Sequence, residues 1–278
     1  MSNIKATTVD EINQIELPPE MIGREPGSGK RVRQVAAEYR GTCIHHSLYL
    51  PLDWQPDKKY PVMVEYTGNY YPGSGSTGKV EDANLGYGLC GAKGWIWVVL
   101  PFIAKDHKHN EVTWWGDKQA AIDYCTINIP RICERFGGDM DSLFLCGFSR
   151  GAIAVNYIGL ADERIASMWK GFITHDHYDG VKEDWRYEDN GRESALERLK
   201  LLDGRRQLIC ANKDEFSQKT REYLSDKNKF GDFTFIDVPV EELFDIPNQY
   251  FISSHTDLWM SKDSDYRRRA RQWLLNII

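Results

Sequence analysis

No two of the six cysteines (Cys43, Cys90, Cys125, Cys133, Cys146 and Cys210) form a Cys-x-x-Cys pair. This excludes a zinc ribbon and a thioredoxin-like redox motif, and leaves buried free thiols, which suit a reducing compartment. Positive charge is not in excess either. With 35 basic and 41 acidic residues the net charge is −6, so no nucleic-acid partner is expected. No apolar run is long enough to span a bilayer, and no internal repeat recurs. The polar stretch Met1 to Gln14 does not read as a secretory leader. A cytoplasmic protein is expected, or a secreted or periplasmic one if a leader has been removed. Arg267 to Arg271 is a basic run, but its short length reads as the solvated face of a closing helix.

Hydrophobic content of 41% over 278 residues is enough for one large core. Residues 1–30 carry Pro18, Pro19, Pro26 and a Gly-Ser-Gly, and read as an irregular extension. From 31 to 278 the pattern is one domain. Arg31–Tyr39 and Cys43–Leu50 predict an antiparallel hairpin. Strands are then expected at Tyr60–Tyr66, Trp95–Leu100, Leu143–Phe148, Trp169–Thr174, Gln207–Ala211 and Phe233–Val238. Helical stretches alternate with them: Asp117–Phe136, divided or kinked at Pro130, then Ile153–Leu160, Glu193–Leu202, Lys219–Asn228 and Asp265–Ile278. Tyr70–Gly94 and Pro101–Gly116 read as loops, and 175–192 as a lid-like insertion. The class is α/β: a mostly parallel, doubly wound sheet with an antiparallel start and helices on both faces.

One stretch carries chemistry. An apolar strand runs into Gly147-Phe148-Ser149-Arg150-Gly151, and a helical pattern follows. Strand, Gly-x-Ser-x-Gly and helix together are the context of a nucleophile elbow, which presents a serine hydroxyl above a helix N-terminus. A serine is a weak nucleophile without a base, and the base needs an orienting acid. His255, between the last strand and the closing helix, stands where that base belongs. Asp214 after the next-to-last strand is the first choice of acid. Glu215, and Asp176 and Asp179 after the preceding strand, compete with it. The oxyanion donors are expected to be the backbone N–H groups of Arg150 and Asn69. The Arg150 side chain is expected to pair with a carboxylate or, less simply, to bind an anionic substrate group. Tyr70, Trp114, Trp115, His175 and His177 fall in loops around the elbow and are candidate substrate contacts, with Tyr71, Tyr178, Trp185 and Tyr187 beside them.

The order from Arg31 to Ile278 resembles the α/β-hydrolase superfamily. Leu48-Tyr49-Leu50-Pro51 followed by Lys59-Tyr60-Pro61-Val62-Met63-Val64 is similar to the opening of the serine-esterase branch containing polyester depolymerases and feruloyl and acetylxylan esterases. The resemblance implies a Ser149–Asp214–His255 triad, no cofactor and no metal, and a small-molecule or glycan ester as substrate. Its third strand often ends in His-Gly where this chain has Thr67-Gly68. A peptidase or amidase of the same fold, or an inactive hydrolase serving as a binding module, are the alternatives. Oligomeric state is not legible.

Two further motifs are set aside. Gly73-Ser74-Gly75-Ser76-Thr77-Gly78-Lys79 lacks the Ser/Thr that completes a phosphate loop, because Val80 follows. His175-x-His177-x-Asp179 and His107-x-His109 have metal-site spacing, but read more simply as polar loops around a pocket.

Overall fold

The computed structural model describes residues 15–278 except 183, 184, 186, 213, 214 and 245–253. The first hairpin pairs β1 (Arg31–Gln34) with β2 (His46–Tyr49) antiparallel. β3 (Tyr60–Tyr66), β4 (Ile96–Leu100), β7 (Gly138–Phe148), β8 (Gly171–His175), β9 (Arg206–Asn212) and β10 (Asp232–Val238) complete one sheet in the order β1-β2-β4-β3-β7-β8-β9-β10. All neighbours from β4 to β10 are parallel. β5 (Phe102–Ile103) and β6 (Asn110–Glu111) form a separate antiparallel ribbon inside a stretch expected to be loop.

Alternation along the central strands explains why both faces are covered. Val62, Val64 and Tyr66 of β3 enter one core with Ile96, Val98 and Leu100 of β4. Met63, Trp97 and Val99 enter the other. The first core is closed by α2 (Lys118–Phe136), α3 (Arg150–Tyr157), α4 (Glu163–Ala166), α5 (Arg192–Lys200) and α6 (Glu215–Leu224). The second is closed by α1 (Leu85–Cys90), α7 (Val240–Leu243) and α8 (Asp265–Leu275). Among the described residues no helix is long and apolar enough to cross a membrane.

Three expectations need correction. Helix α1 lies in the glycine-rich stretch taken for loop. Gly86 and Gly88 disguise it, yet contact requires them. A Cβ on Gly86 would stand 2.4 Å from Trp97 Nε1 of β4, and one on Gly88 2.6 Å from Met260 Cγ in the turn Leu258–Ser261, so the helix packs against both more closely than a side chain would allow. Helix α2 is not divided at Pro130. Asp117 caps its start by accepting from Ala120 N–H, Gly137 closes it at φ 78°, and Ile129, Ile132, Cys133 and Phe136 bury the turns around the proline. The closing helix is also less solvated than its arginines predict, since Arg267 is buried and bonded to Glu16 and the Ser261 carbonyl.

Candidate active site

Ser149 stands between β7 and α3 with φ 55° and ψ −118°, a conformation L residues rarely adopt. Its glycine neighbours make the tight turn possible. A Cβ on Gly147 would lie 2.2 Å from the Gly151 carbonyl oxygen, and one on Gly151 only 1.9 Å from that of Tyr66. Strand, helix and the end of β3 therefore meet at backbone contact distance. The Ser149 N–H donates to the His175 carbonyl at 3.0 Å, which ties the elbow to the next strand end.

His255 Nε2 lies 2.9 Å from Ser149 Oγ. Its Nδ1 lies 2.8 Å from Asp176 Oδ2. The acid against the histidine is thus Asp176, at the end of β8, and not the expected Asp214, which lies outside the described residues. Asp176 is buried and its backbone is left-handed at φ 73°. Asn212, at the end of β9, donates its N–H to Oδ1 at 2.8 Å and its Nδ2–H to Oδ2 at 3.1 Å. Burial opposes ionisation of Asp176. The imidazoles of His175 and His255 against the carboxylate outweigh it and hold the carboxyl well below the usual range.

His175 is fully buried, so it does not face substrate as expected. Trp259 Nε1 donates to its Nε2, which puts the ring proton on Nδ1, 3.3 Å from Asp176 Oδ1. It supports the acid from beneath. His177 does reach the serine, with Nδ1 3.5 Å from Oγ. It stacks on His255 with centroids 4.9 Å apart, and meets Trp185 at 4.5 Å and Phe216 at 4.7 Å. Burial, then the charge of His255, lowers its pKa to about 3, so it is a neutral imidazole.

The remaining predicted contacts divide. Tyr70 is 51% exposed and Tyr71 59% on the loop after β3. Trp114 is half-buried between Trp115, Trp185 and Tyr187. Trp115 is core, packed on Phe102 and Tyr157, which removes it from the substrate contacts. Asn69 is fixed on two sides: its Oδ1 accepts the Trp114 N–H at 2.7 Å and its carbonyl accepts Ser76 Oγ–H at 2.6 Å. Among the described residues the Arg150 side chain pairs with no carboxylate. It turns inward and donates to Thr67, Gly68, Gly78 and Trp114. The segment expected to be lid-like is pinned by Tyr178, which donates to Gln207 at 2.6 Å, and by a buried Asp179–Arg198 pair at 2.7 Å.

Sequence reasoning ranked Asp176 only as a competitor and missed Phe216 and Asn212. The signal available was the polar run after β8, with its short spacing to His175. His107 bonds Asp117 and His109 lies against Asp106, and among the described residues no group of three or more His, Cys, Asp or Glu side chains could hold a metal.

No family model and no curated protein matches the sequence. Solved structures do. One of two fungal esterases from Rhizomucor miehei superposes with a TM-score of 0.56 at 12% identity, over 97% of this chain and 88% of that one. A feruloyl esterase module from Clostridium thermocellum, complexed with sinapinate, gives 0.53 at 12% identity over 91% and 93%. A thermostable esterase gives 0.52 at 15% identity; it is matched over 88% of this chain, which spans only 62% of that protein's length. The chain has the α/β-hydrolase fold. At such identities the likeness extends to the fold alone. Within this fold Ser149 follows β7, Asp176 follows β8 and His255 precedes α8.

Proposed function

We propose that this α/β-hydrolase-fold protein is a serine hydrolase that cleaves carboxylic esters through an acyl-enzyme, acting on an acylated carbohydrate or similar polyol. One observation carries the reading: His255 bridges the hydroxyl of a backbone-strained Ser149 at 2.9 Å and a buried, ionised Asp176 at 2.8 Å. Ser149 attacks the acyl carbon as His255 Nε2 takes the hydroxyl proton. Asp176 holds the His255 tautomer and stabilises the imidazolium. His255 returns the proton to the leaving alcohol, and water repeats the sequence to free the acid. The Arg150 and Asn69 N–H groups receive the oxyanion. Neutral His177 adds no second positive charge beside His255 as it becomes cationic.

The fold likeness does not separate ester from amide; the ester reading comes from the resemblance of Leu48–Pro51 and Lys59–Val64 to the serine-esterase branch, and the anilide arm below tests it against the amide. The polyol is favoured by the half-exposed Tyr70 and Tyr71 beside the oxyanion loop, whose faces suit stacking on sugar rings. An inactive binding module is disfavoured, since the strained backbone of Ser149 costs stability and is not needed for binding.

A fluorophosphonate probe read by intact mass and peptide mapping tests the reaction. Labelling at Ser149 that disappears in His255→Ala is expected, with turnover of a sugar-ester panel. An unlabelled, well-folded protein rejects the hydrolase reading, and turnover of peptide anilides without esters replaces it with an amidase.

A further inference from the structure

Arg150 is a fully buried cation whose hydrogen-bond partners among the described residues are all neutral. Nη2 donates to the Gly68 carbonyl at 2.9 Å and to Thr67 Oγ1 at 3.2 Å, and reaches the Gly78 carbonyl at 3.4 Å. Nη1 donates to the Trp114 carbonyl, and Nε has no partner among the described residues. The guanidinium lies over the Phe102 ring at 4.1 Å. Burial lowers its pKa to about 9, which leaves it charged at neutral pH. Surrounding a buried charge with dipoles alone is costly, and a neutral side chain would close the same space more cheaply.

The identity of the acceptors explains the arrangement. The Gly68 carbonyl and the Asn69 N–H belong to one peptide unit. That peptide is trans, so the two bonds point in opposite directions. A guanidinium bonded to that carbonyl therefore dictates where the Asn69 N–H points and strengthens its dipole. The second contact reinforces the first. Arg150 holds the Trp114 carbonyl, while the Trp114 N–H donates to Asn69 Oδ1 at 2.7 Å. Trp114 itself has φ 53°, so this loop is held in a conformation it would not choose alone. A Cβ on Gly151 would lie 1.9 Å from the Tyr66 oxygen and 2.9 Å from the Thr67 oxygen, so the turn that carries Arg150 packs against the strand end leading into Gly68 and Asn69.

We propose that Arg150 is the positioning residue of the oxyanion hole. Its guanidinium aims and polarises the Gly68–Asn69 peptide at the acyl oxygen and sets a fixed positive charge behind it. This rests on Ser149 being the acylated nucleophile. The substrate need not be anionic.

The test compares wild type with Arg150→Lys and Arg150→Met on one reporter ester. It reads kcat, KM, thermal midpoint and the affinity for a trifluoromethyl ketone, whose serine adduct carries an oxyanion. Lysine keeps the charge but presents no planar fork to its acceptors. Arg150→Met is expected to lose about 10²–10³ in kcat, as when one oxyanion donor is removed. Arg150→Lys is expected to lose about 10-fold or more, with KM nearly unchanged in both. Ketone affinity should weaken by the same factor as kcat. A purely structural arginine would lower the midpoint without that parallel loss. If Arg150→Met does not fold, Arg150→Lys alone decides. Full kcat and ketone affinity in a folded variant overturn the proposal and leave the nucleophile reading intact. Wild type inert to both ester and fluorophosphonate overturns both.

Discussion

Two adjacent strand ends place a left-handed residue at the site, and they do it by different means. After β7, the turn at Ser149 (φ 55°) is made possible by packing, because Gly147 and Gly151 allow backbones to touch where no Cβ fits. After β8, Asp176 at φ 73° has no glycine beside it. Its turn is held by hydrogen bonds from Asn212 and by His255 and His175 around the carboxylate. The first device is steric and leaves a local motif. The second is electrostatic, and Asn212, one of its partners, is 36 residues away in sequence.

The largest effect should come from the acid. Asp176→Asn is expected to lower kcat by about 10³–10⁴-fold with little change in fold, because an amide donating to His255 imposes the wrong tautomer. Stopped-flow or steady-state ester kinetics checks this. The same change at Asp214 is the control. If it, and not Asp176→Asn, abolishes turnover, the acid lies after β9 and the contrast between the two strand ends collapses.

Breaking the steric device should unfold more than it slows. Gly151→Ala places a methyl 1.9 Å from the Tyr66 oxygen, and a loss of about 3 kcal/mol or more in urea unfolding is expected.

Glu65 sharpens the electrostatic half. It is as buried as Asp176, yet burial and then the Asp257 charge push its pKa up to about 7, against donors from Gly86 and Trp97 and the charge of Arg31. Its raised value means the folded state binds the extra proton. Its contribution to stability therefore falls as pH rises from about 4.5 to 7, by an amount on the order of 3 kcal/mol. Glu65→Gln should flatten that slope in denaturation curves taken across the window. Asp176 has the opposite sign. Its depressed value supports the fold above the unfolded pKa, and that support is lost only as pH falls into the acid range.

The smallest effect is expected from Asn212→Ala, which removes the Nδ2 donor to Asp176 at 3.1 Å and to the Ser254 carbonyl but keeps the backbone N–H at 2.8 Å. About a tenfold fall in kcat is expected, consistent with one hydrogen bond to a charged group. A loss as large as that of Asp176→Asn would show that the side chain, not the backbone, holds the acid.

Legibility followed the same division. The parallel sheet was readable because strands buried on both faces are continuously apolar, as at Ile96–Leu100. The elbow was readable because Gly147, Ser149 and Gly151 are close in sequence. Helix α1 was not, since its glycines serve contacts with Trp97 and Met260 that local propensity does not contain. Nor was the inward turn of Arg150, whose partners come from separate stretches of the chain around Gly68, Gly78 and Trp114.

By itself the sequence determined the fold class, the serine and the histidine candidate, because periodicity and glycine spacing act over a few residues. Only the tertiary structure decided which carboxylate meets His255, that His177 lies beside Ser149, and that Arg150 turns to the loop after β3. Those outcomes depend on which strand ends are neighbours, and on the low dielectric between them, where a donor a few ångströms away outweighs any local preference.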